Sequence, residues 1–373
     1  MKKIGITGQE GFLGRHILNN LKLFPDEYEI INYDKSFFAD KSSLDQFVSS
    51  CDVIYHLAAM NRHEDQQFIY DTNVNLVKEL IESLNRTSSQ PHILFSSSSQ
   101  EVQDNLYGKS KLKGRELLEF WAKENNASFT GFIIPNVYGP FGSPFYNSFV
   151  STFCHLLNND GTPEVVNDSE VNLIYVQNLV NAMLKPLNNK QGSINRIAVP
   201  EDGTYKVTEV LHLLNRYKND YLNKGIMPSL ENQFELNMFN TFRSFIDHKN
   251  HFPVVYTQHK DDRGAFVEII RLEQHGQVSF STTVPGVTRG NHYHTRKIER
   301  FSVIKGKALI ELRKINTDEI LSFYLDGDQP SYVDMPIWYT HNIKNIGDEE
   351  LYTMFWINEF YNPNDADTYF ETV

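Results

Sequence analysis

Short apolar runs alternate with longer amphipathic stretches from Met1 to about Phe242. The runs include Ile4-Gly5-Ile6, Glu29-Ile30-Ile31-Asn32-Tyr33, Val53-Ile54-Tyr55-His56-Leu57 and His92-Ile93-Leu94-Phe95. Between them, residues 14–23, 73–84 and 108–124 carry helical spacing. This strand-helix alternation predicts an α/β domain, a doubly wound parallel sheet covered by helices. After about Ser244 the pattern changes: segments 278–283, 299–304, 308–313 and 351–357 have strand length and short turns, with no long amphipathic helix among them. That style predicts an all-β antiparallel barrel or sandwich. The expected domains are residues 1–243 and 244–373.

Composition limits the function classes. A length of 373 residues agrees with about two domains. Lys plus Arg total 35 against 47 Asp plus Glu, and the net charge of -12 argues against a nucleic-acid partner or an anionic membrane surface. A local phosphate pocket is still compatible with that background. Cys51 and Cys154 stand far apart with no CxxC partner, so neither a disulfide framework nor a thiolate zinc site is expected. The opening Met1-Lys2-Lys3-Ile4-Gly5-Ile6 reads as a first strand rather than a secretory leader. No stretch approaches the roughly 20 apolar residues of a bilayer span, so the expected location is the cytoplasm, with no membrane partner.

The first strand is followed by Gly8-x-x-Gly11-Phe12-Leu13-Gly14 at the start of a helix. Glycines there permit a tight turn and let a pyrophosphate approach the helix amides. Asp34, at the end of the second strand, is the residue type that receives ribose hydroxyls and would select NADH. Lys35 and Arg15 are cations able to take a 2′-phosphate, which keeps NADPH open. In Tyr107-Gly108-Lys109-Ser110-Lys111 the i, i+4 spacing sets Tyr107 and Lys111 on one helix face, where an ammonium is expected to lower the phenol pKa. Upstream, Ser96-Ser97-Ser98-Ser99 ends a strand and offers a hydroxyl for the same substrate oxygen.

With His56-Leu57-Ala58-Ala59, Asn73-Val74-Asn75 and Pro135-Asn136-Val137-Tyr138-Gly139-Pro140 added, residues 1 to about 243 resemble the extended short-chain dehydrogenase/reductases. The resemblance implies a Rossmann fold, with Tyr107 as acid/base, Lys111 on the nicotinamide ribose, and Ser98 (Ser97 second) on the reacting carbonyl. It also implies cofactor contacts from Leu57, Ala58 and Ala59 and a substrate contact from Asn136. Dehydratases of that family carry Ser-Thr-Asp-Glu where this chain has Ser98-Ser99-Gln100-Glu101. Glutamine at the acid position favours a reductase or epimerase.

The densest pattern in the second half is Gly286-x5-His292-Tyr293-His294-x4-Glu299-x6-Gly306, with Pro336, His341 and Asn345 downstream. On a strand His292 and His294 share a face, and Glu299 and His341 can complete a metal site. Imidazole and carboxylate donors suit Zn, Fe, Mn or Ni, with zinc the first choice. These boxes resemble the cupin superfamily, a jelly-roll β-barrel. Asp262-Arg263-Gly264 through Glu268, and Arg289-Gly290-Asn291-His292-Tyr293, resemble nucleotide-sugar 3,5-epimerases. That second resemblance implies substrate contacts from Arg263, Glu268 and Arg289. His294 replaces the glutamine of the epimerase motif, so the proton-transfer base stays open among Tyr332, Tyr339 and Glu299.

A reductase followed by a cupin resembles the bifunctional enzymes of capsule and O-antigen precursor synthesis. The resemblance implies a UDP-linked 4-keto amino sugar as substrate, UDP-2-acetamido-2,6-dideoxy-4-hexulose. The cupin would epimerise C3 and the reductase would then reduce C4 with NADPH, giving UDP-2-acetamido-2,6-dideoxy-L-talose. Reduction first would remove the ketone that makes the C3 proton labile. A homodimer through the cupin is also expected. The alternative is a reductase with a non-catalytic cupin serving dimerisation or sensing.

Overall fold

The apolar runs of the first half become one six-stranded parallel sheet. Its order is Tyr28–Ile31, Lys2–Thr7, Val53–His56, His92–Ser98, Phe129–Ile134 and Ile194–Ala198. It is seen in a computed structural model that describes residues 1–188, 191–261, 264–267, 269–272, 276–359 and 362–373. Every residue of Val53–His56 and His92–Ser98 is buried, because helices cover both faces of a parallel sheet. Strand period two sorts these residues: Val53 and Tyr55 enter one core with Ile4, Ile6 and Leu179, while Ile54 enters another with Phe47, Leu80 and Phe129. Asp65 caps the helix Gln66–Thr87 and Asn105 caps Leu106–Glu124, and these caps fix both starts. The expected α/β domain is therefore present.

The second half forms two five-stranded sheets joined by antiparallel pairs. One runs Val254–Val255, Ser331–Met335, Glu299–Lys305, Leu351–Ile357, Gln277–Thr283. The other runs Ile320–Asp326, Lys307–Lys314, Tyr339–Asn345, Thr288–Tyr293, Tyr369–Phe370. Val303, Val333 and Leu351 from the first sheet share a core with Ile310, Leu312 and Ile343 from the second. This is the all-β architecture the turn spacing predicted.

By packing, the chain divides into Met1–Thr152 with Val165–Glu209, and Phe153–Glu164 with Val210–Val373. The division expected at residue 243 follows the end of helical periodicity; packing instead groups the helix Gln233–Arg243 with the barrel. The reason is a buried polar hub. Arg300 donates to Asp334 through Nε at 2.7 Å and Nη2 at 3.1 Å, and both side chains are 1% exposed. Tyr221 donates to the same carboxylate, Arg243 donates to Met335 O at 3.3 Å, and Arg300 donates to Gly225 O at 3.3 Å. The Arg300 guanidinium also lies 3.8 Å from the centre of the Tyr332 ring.

Arg300 and Asp334 are direct cross-strand partners, as are Glu299 and Met335. Removing one member of such a pair strands a buried charge, so Arg300→Ala is expected to cost about 3–5 kcal/mol. Urea denaturation of the full chain, followed by tryptophan fluorescence, checks this. The double variant Arg300→Met/Asp334→Leu is expected to recover most of the loss.

Candidate active sites

In the first unit the glycine run forms the wall of a cavity of about 360 Å³. Gly8 sits at φ +74, Gly11 N donates to Gly8 O at 3.0 Å, and a Cβ on Gly14 would stand 2.3 Å from that carbonyl. The helix Phe12–Leu21 has no side-chain cap, so its first amides face the cavity without a side-chain acceptor, ready for an anion. Thr7 Oγ1 accepts from Leu57 N at 3.2 Å and Ala58 N at 3.3 Å, tying the His-Leu-Ala-Ala turn to the glycine loop. Asn73 holds the same turn to the next helix, bonding Met60 N at 2.7 Å, Met60 O at 3.0 Å and Ser110 Oγ at 3.0 Å.

The structure brings Gly8, Gly11, Phe12, Leu13, Gly14, Leu57, Ala58, Ala59, Ser98, Tyr107, Lys111 and Asn136 around this one cavity. Gly108 explains how Tyr107 reaches the serines: a Cβ there would lie 2.0 Å from Gln100 O, so only glycine lets the helix pass so close. Burial, then the neighbouring Tyr146, pushes the Tyr107 phenol up to about 12. Burial pulls the Lys111 ammonium down to about 8, against the pull of Glu101. The expected lowering of Tyr107 by Lys111 is therefore not what dominates here. Lys111 Nζ points to Ser96 Oγ at 3.5 Å and lies 5.1 Å from the Phe95 ring centre.

Hydrogen bonding separates the two serine candidates. Ser97 donates its proton to Glu101, a residue clamped by Arg115 through Nε at 2.8 Å and Nη2 at 2.7 Å. Ser98 Oγ instead accepts from Gln100 N at 3.2 Å, which leaves its proton for a ligand. The acidic residue of the Ser-Ser-Gln-Glu run is thus consumed in a buried ion pair.

An adjoining cavity of about 740 Å³ holds Asp34 and Lys35 beside Gly8, Ala58 and Arg62. Asp34 is held below the usual carboxylate range by its bonds to Ser36 and accepts from Ser36 N at 2.8 Å. Arg15 is exposed on its helix and lies outside the lining of both cavities. Arg62 is the cation that sequence reasoning missed, since no spacing marks a residue in an irregular loop.

In the second unit, the ligand atoms of His292, His294, Glu299 and His341 all lie within 4.8 Å of one another. His294 Nε2 is 3.0 Å from Glu299 Oε2, and His341 Nε2 is 3.3 Å from the same oxygen. His341 Nε2 is buried and that approach lacks hydrogen-bond geometry, leaving the nitrogen without a hydrogen-bond partner. Burial, followed by the nearby His341 and His294, pulls His292 down to about 4, so it is a neutral donor near pH 7. Burial opposes ionisation of Glu299, but the hydrogen bond from His294 and the adjacent imidazoles hold its carboxyl far below the usual range. An orphaned buried nitrogen, a neutral imidazole and an ionised carboxylate form a donor set that fits a divalent metal.

The other barrel residues fare differently. Arg289 is exposed and donates to Thr282 O at 3.0 Å, so it is not brought into the cluster. Arg263 and Glu268 lie outside the described residues. Tyr332 pairs with Ser302 and shares the face of Arg300, opposite to Glu299, which removes it as a candidate base. Tyr339 stacks on His248 with centroids 5.5 Å apart.

A cavity lined by Ser98, Tyr107 and Lys111 in one unit and a His/Glu cluster in the other are the two candidate sites of the chain. The chain belongs to the NAD dependent epimerase/dehydratase family, which matches residues 4–199, and carries a polysaccharide biosynthesis C-terminal domain over residues 259–369. It is 31% identical over 369 residues to the UDP-2-acetamido-2,6-beta-L-arabino-hexul-4-ose reductase of Pseudomonas aeruginosa, covering 98% of each chain. It is also similar to the capsular polysaccharide assembling protein CapF of Staphylococcus aureus, with 34% identity, full coverage of both chains and a TM-score of 0.62. RMD from Pseudomonas aeruginosa, solved with NADPH, shares the fold at 17% identity over 59% of this chain and 84% of its own, with a TM-score of 0.51. Among the described residues no helix is long and apolar enough to cross a membrane.

The close approach at Gly14 makes Gly14→Ala a sharp probe. Binding of NADPH, followed by fluorescence titration, is expected to weaken roughly tenfold or more, about 1.4 kcal/mol, with the fold retained.

Proposed function

We propose that the chain is a two-site enzyme acting on a UDP-linked 4-keto amino sugar in capsule or O-antigen precursor synthesis. The barrel epimerises C3 of UDP-2-acetamido-2,6-dideoxy-4-hexulose, and the α/β unit reduces C4 to give UDP-2-acetamido-2,6-dideoxy-L-talose. The observation that carries this reading is one chemically distinct cluster in each unit, supported by a full-length relative named as a hexul-4-ose reductase. Lys35 and Arg62 beside Asp34 support NADPH as the cofactor, since two cations can meet a 2′-phosphate.

When bound, the nicotinamide supplies hydride to C4. Tyr107 then gives its phenolic proton to O4, so the C=O becomes CH–OH. Burial keeps that proton on Tyr107 at neutral pH, which suits a donor. Ser98 donates to the same oxygen and orients it, and Lys111 holds the ribose and balances charge left on Tyr107. In the barrel, His292, His294, Glu299 and His341 would hold a divalent ion such as zinc, which supplies Lewis-acid stabilisation as the C3 proton leaves. Epimerisation precedes reduction because only the ketone makes that proton acidic.

Proton NMR of the keto sugar in D2O, before and after NADPH addition, tests both steps. Tyr107→Phe is expected to lower NADPH oxidation at least about 100-fold while retaining deuterium entry at C3. His292→Ala is expected to abolish deuterium entry. Loss of both activities in Tyr107→Phe would sink the division into two sites, and undiminished exchange in His292→Ala would favour the non-catalytic cupin.

A further inference from the structure

We infer that residues 362–373 form a strap that sets the ligand geometry of His294, with Asp367 as its positioning residue. The inference rests on reading the His/Glu cluster as a metal centre. Asp367 is 5% exposed and adopts φ 42, a left-handed conformation that few non-glycine residues take. Its carbonyl accepts the Nδ1 proton of His294. An imidazole that donates from Nδ1 presents Nε2 to a metal, and Nε2 here lies 3.0 Å from Glu299, another ligand of the cluster.

The Asp367 carboxylate acts on the loop that joins those two ligands. Oδ1 accepts from Thr295 N at 3.1 Å and Thr295 Oγ1 at 2.6 Å. Oδ2 accepts from Arg296 N and Lys297 N, each at 3.0 Å. One side chain therefore gathers four donors from the three residues after His294, while its own backbone fixes the ring. The rest of the strap is fastened to the other ligand strands. Phe370 pairs with His292 and Tyr369 with Tyr293, and Glu371 O accepts from Thr340, the neighbour of His341. Arg313 anchors the far end by donating to Glu371 at 2.9 Å and Thr372 O at 2.7 Å.

Asp367→Ala keeps the carbonyl that meets His294 and removes the carboxylate that places it on the 295–297 loop; loss of such support around a metal-bound imidazole typically weakens the metal by about 10–100-fold. Zinc affinity of the full chain, measured by competition with a chromophoric chelator, is expected to fall by that factor in Asp367→Ala and by a few-fold in Thr295→Val. NADPH affinity is expected to stay unchanged in both. Arg313→Ala, which loosens the strap end without touching the loop, is expected to keep zinc affinity within about twofold. In long-range proton-nitrogen spectra of the zinc-loaded protein, His294 should appear as the Nδ1–H tautomer, and exchange of that proton with water should quicken in Asp367→Ala.

A wild-type chain that binds no zinc overturns the metal-centre reading itself. Stoichiometric zinc in the wild type with unchanged affinity in a folded Asp367→Ala overturns only the strap. If Asp367→Ala does not fold, unchanged affinity in Thr295→Val overturns it. Equal weakening in Arg313→Ala would also do so, since the effect would then be general loosening.

Discussion

A guanidinium and a carboxylate buried face to face across two antiparallel strands tolerate no slip of register. Arg300 and Asp334 are such a pair, and the strand that carries Arg300 begins with Glu299. Because strand residues alternate sides, fixing Arg300 towards Tyr221 and Gly225 fixes Glu299 towards the histidines. A one-residue shift would turn the arginine into the barrel and the glutamate out of it. The ion pair thereby does for the barrel what hydrophobic patterning does for most sheets: it makes one alignment far cheaper than its neighbours. It also recruits the segment around Tyr221 and the helix ending at Arg243, so the barrel's packing unit begins before its first long strand.

The α/β unit uses burial to prepare chemistry. The serine strand and the Tyr107 helix approach closely because Gly108 has no side chain, and the approach buries Lys111 and half-buries Tyr107. Desolvation then favours the neutral form of each, keeping a proton on the phenol and easing one off the ammonium. The two cations near Asp34 act in the opposite setting, in an open cavity where an incoming anion would bring its own charge.

Local features were legible along the sequence and distant ones were not. The glycine run, the Tyr-Lys spacing and the His-x-His-x4-Glu box each lie within one turn or hairpin, so residue spacing carries their geometry. Periodicity likewise revealed both fold styles. Where Arg15 points was not legible, because its position after the last glycine says nothing of which way the helix turns it. The face that Tyr332 takes was not legible either, because it depends on the pairing partner Ser302, which lies on another strand. Arg62 and Asp367 left no signal: the first is in an irregular turn, and the second meets His294 across more than seventy residues of chain. The packing boundary was hidden for the same reason, since the polar contacts that recruit the helix Gln233–Arg243 are entirely non-local.

The clamped Glu101 constrains what this scaffold can become. Where a Ser-Thr-Asp-Glu run would offer two acidic groups after the serine, glutamine occupies one position here and the carboxylate at the other is already spent on Arg115 and Ser97. An aspartate at position 100 alone would restore a proton donor without freeing a base. Elimination would require at least a second change at Arg115, and that change would first leave a buried carboxylate unpaired. Freeing that carboxylate for elimination therefore carries the stability cost of a broken buried ion pair.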